Sequence, residues 1–278
     1  MPMPRYIIVF SELDPVARGI EEIWGPRPAA EGHVDGAPLR RLNDGVWTLR
    51  RPGRHIHDEH LDHRLPPPVR TGRVPLVFPS IHRSEQGPVC FTVHPLGNWG
   101  EGAQLGGAPR TVGPTAPRLM SAALRALASG ASSVGLTATY EATHHGPELE
   151  VPACFAEIGG GADPEHPAPA HLRVLAAALE DLREDPRDRI ALGVGGGHYA
   201  PHFSELARTR SWAFGHILPR HALAEVTRST LQQALQVTEA AEGILFSRSM
   251  DARLELFDGL APRLRDSDAA ERETWPPG

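Results

Sequence analysis

The chain of 278 residues contains no lysine; all 28 of its basic residues are arginine. That absence removes Schiff-base chemistry, a pyridoxal-phosphate anchor and the lysine of a phosphate-binding P-loop. Asparagine is almost missing too, with only Asn43 and Asn98. A GC-rich genome that writes Arg for Lys and avoids Asn accounts for both scarcities. Cysteine is limited to Cys90 and Cys154, far apart and inside apolar runs. Two such thiols make neither a disulfide framework nor a Cys-rich zinc ribbon, and they suit a reducing cytoplasm. The run Tyr6–Phe10 is too short for a secretory leader or a membrane span and reads as a buried first strand. No G-x-S-x-G elbow is present. The glycines at 195–197 miss the G-x-G-x-x-G dinucleotide spacing, because position 198 is His198. No nucleotide cofactor is expected.

Thirty-four acids against 28 arginines give a net charge of −6 with His neutral, which argues against a uniformly basic nucleic-acid coat. Residues 40–83 differ: nine arginines (40, 41, 50, 51, 54, 64, 70, 73, 83) face four acids (44, 58, 59, 62), a local 9 − 4 = +5. That stretch is either a solvated loop face or a surface for phosphates.

Apolar runs alternate with helical patterns. Strands are expected at 6–11, 46–50, 74–79, 89–94, 133–140, 153–158, 189–194, 211–217 and 243–247. Helices are expected at 15–24, 115–129, 168–183, 227–241 and 250–264. The alternation predicts an α/β fold with a mixed, mostly parallel sheet flanked by helices. It is read as one domain over 1–265, with a possible smaller lobe at about 1–85. Residues 26–38 and 64–75 read as surface loops, and 266–278 as a frayed tail.

Four polar stretches rich in Gly or Pro each follow an apolar run: Thr92–Gly100, Tyr140–Pro147, Gly193–Pro201 and Phe214–Pro219. Ligands of open α/β sheets bind at the carboxyl ends of strands. His94, Asn98, Glu141, His144, His145, His198, Tyr199 and His216 can therefore converge there. Imidazole and carboxylate groups are natural zinc ligands, and a catalytic zinc makes water nucleophilic near neutral pH. His144 and His145 serve one site only if the strand has ended, as Gly146-Pro147 indicates. The backbone of Gly195, Gly196 and Gly197 offers close approach and an oxyanion or phosphate cradle. The string His55-Ile56-His57-Asp58-Glu59-His60 nearly fits an H-x-H-x-D-H zinc pattern, but an Arg-Pro-Gly-Arg turn precedes it, and a histidine-rich helix start is the better reading.

Taken together, Thr143-His144-His145-Gly146-Pro147 after Tyr140-Glu141-Ala142, the ELEVP string at 148–152, GGGHYAP at 195–201, AFGHILP at 213–219 and GNWG at 97–100 resemble the archaeal and plant type of D-aminoacyl-tRNA deacylase. Ser80–Gln86 and Val9–Glu12 with Asp14-Pro15 also fit, so the resemblance runs over roughly 5–260. It departs at Arg220, where lysine is usual, in a glutamate-rich string one residue early, and over 25–75, which match poorly.

The resemblance implies a cytoplasmic hydrolase with a phosphorylase-like or peptidyl-tRNA-hydrolase-like fold, acting on the ester between a D-amino acid and the 3′ end of tRNA. It also implies dependence on zinc. The resemblance carries over these eight positions without dividing their roles; we infer that His94, His145, His198 and His216 bind metal, while Glu141, His144, Asn98 and Tyr199 act on the ester. Gly195–Gly197 hold the oxyanion, and Arg83 and Arg220 meet tRNA. A monomer with no membrane association is expected. Two rivals are a zinc peptidase or amidohydrolase acting on small D-aminoacyl compounds, and a tRNA-binding module without catalysis.

Overall fold

The computed structural model describes residues 3–26, 30–83, 88–160, 166–238, 242–247, 253–264 and 272–273. Fifteen strands are present among them: β1 Tyr6–Ser11, β2 Ala30–Val34, β3 Ala37–Asn43, β4 Val46–Arg51, β5 Leu76–His82, β6 Cys90–Pro95, β7 Gly97–Asn98, β8 Thr111–Val112, β9 Ala138–Tyr140, β10 Ala153–Gly159, β11 Arg189–Val194, β12 Trp212–Leu218, β13 Gly243–Phe246, β14 Arg263–Leu264 and β15 Arg272–Glu273. The α-helices are α1 Pro15–Trp24, α2 Pro67–Thr71, α3 Pro117–Ala131, α4 Pro169–Leu179, α5 Pro201–Thr209 and α6 Arg228–Thr238. An eight-stranded sheet runs β2-β3-β4-β1-β5-β10-β6-β9 and a five-stranded sheet runs β12-β11-β13-β14-β15. The pairs β4/β1, β1/β5, β5/β10 and β6/β9 are parallel, as are β12/β11, β11/β13 and β13/β14. The mixed, mostly parallel α/β architecture is the one the alternation predicts.

β1 shows why the first sheet is central. Its side chains alternate between two cores. Tyr6, Ile8 and Phe10 enter one with α1, α3 and α4, while Ile7 and Val9 enter another with Leu61, Leu65 and Val69 of the 53–74 segment. Such two-sided burial makes a continuous apolar run rather than an alternating one. The third core joins α6 to the second sheet through Leu192, Val194, Leu231 and Ile244. α1 starts where Asp14 Oδ1 accepts from Val16 and Ala17 N–H at 2.9 and 3.0 Å, with Pro15 in its first turn.

Several expectations change. Residues 30–43 form the β2–β3 hairpin rather than a loop, turning at Asp35-Gly36 with φ of 50° and 81°, the backbone that an Asp-Gly hairpin turn requires. The strand expected over 133–140 shrinks to β9, because α3 ends in a 3-10 turn at Ser132–Val134 and Gly135 at φ 71°. The helix expected over 250–264 is a 3-10 turn at Leu254–Phe257 followed by β14, with Gly259 at φ 69° and Pro262 between them. Residues 27–29, 84–87, 239–241 and 250–252 lie outside the described residues, as does the tail at 266–278 apart from β15. α5, hidden behind the glycine turn, starts at Pro201. No helix among the described residues is long and apolar enough to cross a membrane.

Candidate active site

The two sheets meet where the chain leaves β9. Glu141 N–H donates to Val93 O of β6 at 3.0 Å, and Glu141 pairs across an isolated bridge with Tyr199. Ala142 N–H donates to His198 O at 2.8 Å, Ala200 N–H to Tyr140 O at 2.9 Å and Thr143 N–H to Ile217 O at 3.0 Å. The segment 140–143 is thus stitched to both sheets. It sets Glu141 and His144 at the seam, beside His82 at the end of β5 and His198 after β11.

The side chains follow. Glu141 Oε2 lies 3.5 Å from His82 Nδ1 and 3.7 Å from both His144 Nε2 and His198 Nε2. Glu157, on the adjoining strand β10, places Oε2 at 3.4 Å from His82 Nδ1 and 3.5 Å from His94 Nε2. His145 joins from the other side, its ring 4.4 Å from that of His144 and 4.9 Å from that of His94. A cleft of about 440 Å³ opens onto this cluster and is lined by His82, His144, His145, Glu157 and His198 together with Ser11, Arg54 and Arg83.

Electrostatics separates the two carboxylates. Burial drives Glu141 up to about 7, with Glu157 adding to the shift and His94 and His82 opposing it. Burial pushes Glu157 in the same direction, but His82 and His94 outweigh it and hold that carboxyl well below its usual range. In return Glu157 raises His82 and His94 against the burial that disfavours their charge. Burial and neighbouring imidazoles keep His144 far below its ordinary value and bring His145 and His198 to about 4, so their lone pairs are available at neutral pH.

The donor set fits a metal. The ligand atoms of His82, Glu141, His144 and His198 all lie within 4.8 Å of one another. Donors around a tetrahedral zinc at about 2.0–2.2 Å stand about 3.3–3.6 Å apart, close to the distances from Glu141 Oε2. Both carboxylate oxygens of Glu141 are buried without a hydrogen-bond partner, and a buried carboxylate left so is costly unless a cation or proton satisfies it.

Other candidates fall elsewhere. His216 is fully buried, bonded through Nδ1 to the Thr143 hydroxyl at 3.0 Å and through Nε2 to Gly113 O at 2.8 Å. With both nitrogens engaged it has none for a metal, so it ties β12 to the 143 segment instead. Asn98 Nδ2 donates to Gly106 O at 3.0 Å and Ala108 O at 3.2 Å; it folds the 99–110 loop rather than facing an oxyanion. Gly195 N–H is committed to Leu218 O at 2.8 Å, which leaves Gly196 and Gly197 as the open part of the turn. Tyr199 stands behind His198, rings 5.6 Å apart. Arg83 lines the cleft, and exposed Arg220 adjoins the glycine turn through its N–H to Gly196 O at 3.0 Å. His55 is buried and bonded through Nε2 to Val9 O at 2.9 Å, a packing role that removes the 55–60 string as a metal site. Four of the nine arginines of the basic stretch are paired with acids: Arg41, Arg50, Arg51 and Arg64 meet Asp44, Glu21, Asp35 and Asp58.

Two members of the cluster, His82 and Glu157, stand outside the four polar stretches. A signal for Glu157 exists, since a lone carboxylate inside the apolar run Ala153–Gly159 must be buried and partnered.

Residues 73–255 match the family model described as D-aminoacyl-tRNA deacylase. The chain is 31% identical over 252 residues to the D-aminoacyl-tRNA deacylase of Archaeoglobus fulgidus, covering 90% of each. It is 36% identical over 205 residues to that of Pyrococcus abyssi, covering 72% of this chain and 74% of the relative. The chain belongs to the D-aminoacyl-tRNA deacylase family. A crystal structure titled as a conserved protein of unknown function superposes on this deacylase with a TM-score of 0.82 at 26% identity, covering 96% of this chain and 98% of the other. The cluster of this deacylase is built from residues 82–198, inside the matched segment.

Proposed function

We propose that this deacylase hydrolyses the ester joining a D-amino acid to the 3′ end of tRNA, with His82, Glu141, His144 and His198 holding a zinc ion. What carries the reading is the buried Glu141 carboxylate, without a hydrogen-bond partner and ringed by three imidazoles that line the cleft, in a chain of this family. A zinc there would polarise the ester carbonyl and lower the pKa of water.

The chain's own groups divide the remaining work. Burial holds His144 and His198 neutral, as ligands must be. His145 donates Nδ1–H to Gly146 O at 2.8 Å, so its Nε2 carries the lone pair and can accept a proton from the attacking water. Glu157 stands beside His82 and His94 and raises both; His94, outside the ligand set, can carry positive charge and favour the negative charge that develops on the carbonyl oxygen. The N–H groups of Gly196 and Gly197, which lead into His198, are the backbone donors we assign to the oxyanion. Arg83 and Arg220 meet the phosphates of the acceptor end, so binding weakens as salt rises. Selectivity for D-esters comes from a clash with an L side chain rather than from tighter D binding.

The test is deacylation of D-Tyr-tRNA and L-Tyr-tRNA, each with and without chelator. Turnover of the D-ester alone, lost on chelation and restored by zinc, is expected. Equal rates on both esters refute chiral selection. Full activity in metal-free protein refutes the metal and leaves the deacylase; Glu141, poised at about 7, is then the group placed to take the proton.

A further inference from the structure

The cleft combines two unlike linings. Its floor is the imidazole and carboxylate cluster, whereas its walls include Leu13, Ile56, Ile81 and Leu105 with the guanidinium groups of Arg54 and Arg83. Leu13 and Leu105 are 58% and 57% exposed. Among the described residues Met3 and Ile23 are the other large hydrophobic side chains so exposed, at 43% and 44%, so the two most exposed ones share one cleft. Exposed apolar surface gathered at one place marks a binding site.

Both leucines are held out by polar staples. Leu105 O accepts Gly146 N–H at 3.2 Å, Glu59 Oε1 accepts Gly107 N–H at 2.8 Å, and Asn98 Nδ2 bonds the carbonyls on either side of Gly107. Gly106 and Gly107 sit at φ 85° and 73°, and a Cβ on Gly106 would fall 1.7 Å from Ile56 O. The backbone next to Leu105 therefore approaches Ile56 so closely that only glycine fits at 106. Leu13 N–H donates to Ser11 Oγ at 3.1 Å, and next to it Asp14 Oδ2 accepts from the Ser80 hydroxyl and Ile81 N–H, both at 3.0 Å.

The geometry points to Leu13 and Leu105 as the clamp for the 3′-terminal adenine of the tRNA, with Arg54 taking that nucleotide's phosphate. The inference rests on the deacylase reading, because an ester carbonyl at the cluster leaves the terminal ribose and base to occupy the rest of the cleft. A neutral amino-acid side chain would use the apolar walls but not the cations, whereas a nucleotide uses both. Arg54 makes no side-chain hydrogen bond or ion pair among the described residues, which suits it to an incoming phosphate. The cleft volume lies in the range of about 300–1,000 Å³ that holds small organic ligands.

Adenosine monophosphate is the probe. Binding to metal-loaded wild type, Leu13→Ser, Leu105→Ser, Leu105→Met and Arg54→Gln is followed by calorimetry, and deacylation is followed on D-Tyr-tRNA and D-Asp-tRNA. Each Ser variant should weaken the nucleotide about tenfold and raise KM on both esters by the same factor, with kcat moving less than threefold. Leu105→Met should stay close to wild type. Arg54→Gln should weaken the monophosphate but not adenosine. Both leucines are exposed, so the variants fold. A KM effect confined to D-Tyr-tRNA overturns the clamp in favour of a side-chain pocket, and unchanged nucleotide binding overturns it outright. Absence of any D-aminoacyl-tRNA hydrolysis by wild type refutes the function itself, whereas nucleotide binding tests the clamp alone.

Discussion

Replacing Glu141 by Gln should stabilise the metal-free protein while destroying its activity. The carboxyl is fully buried, has no hydrogen-bond partner and is raised by burial from 4.5 to about 7. Because the folded state holds this proton more tightly than the unfolded chain, the native state loses stability as pH rises from 4.5 through 7. At 1.36 kcal/mol for each pH unit the full penalty is about 3 kcal/mol, reached above pH 8. Gln is nearly isosteric and cannot ionise, so it removes that penalty. Urea denaturation in chelator should show Glu141→Gln more stable by about 2–3 kcal/mol at pH 8 and little different at pH 5. With zinc the order reverses: the metal raises the melting temperature of wild type and leaves that of the variant nearly unmoved, and kcat/KM falls at least about a hundredfold in the variant. A Gln variant less stable than wild type at pH 8 without metal, or an equal gain at pH 5, would refute the account of Glu141 as a carboxylate kept at the expense of stability for a cation.

Three further outcomes follow from other contacts. Asn98→Ala should loosen the 99–110 loop, costing about 1–3 kcal/mol and raising KM; a kcat loss of about a hundredfold or more with KM unchanged would restore Asn98 as an oxyanion donor. His216→Gln should leave bound zinc, measured by equilibrium dialysis, at the wild-type level, whereas His198→Ala should lower it, and equal losses would place His216 among the ligands. Arg125 grips buried Asp188 with two contacts of 2.7 Å and Ala207 O at 2.6 and 2.8 Å, fastening α3 to the second sheet and α5. Arg125→Lys cannot reproduce that fork and should lower stability in urea by about 2 kcal/mol; an unchanged midpoint would show that lysine's absence is compositional even here.

Much of the site is legible because long motifs sit at strand ends. His144 follows the short strand β9, with Gly146-Pro147 ending any strand geometry, and His198 follows β11, so a carboxyl-edge cluster can be read from spacing alone. His216 fails the same logic. It lies within β12, in an apolar run no different on paper from its neighbours, and only the approach of Thr143 and Gly113 shows that both nitrogens are engaged. Asn98 misleads for a related reason, since a carboxamide that folds its own loop has the same sequence signature as one that binds substrate.

The sequence by itself determined the α/β alternation, the family, and the residue types left for chemistry once lysine and reactive cysteine were gone. Hydrophobic periodicity and contiguous motifs are local, so they survive in one dimension. Tertiary structure alone decided that His82 and Glu157 join the cluster, that Glu141 is stranded between three imidazoles, and that most arginines of 40–64 are already paired. Those are distances between side chains far apart in the chain, set by how strands β5, β6 and β10 and the 140–143 seam lie together, and no spacing along the sequence encodes them.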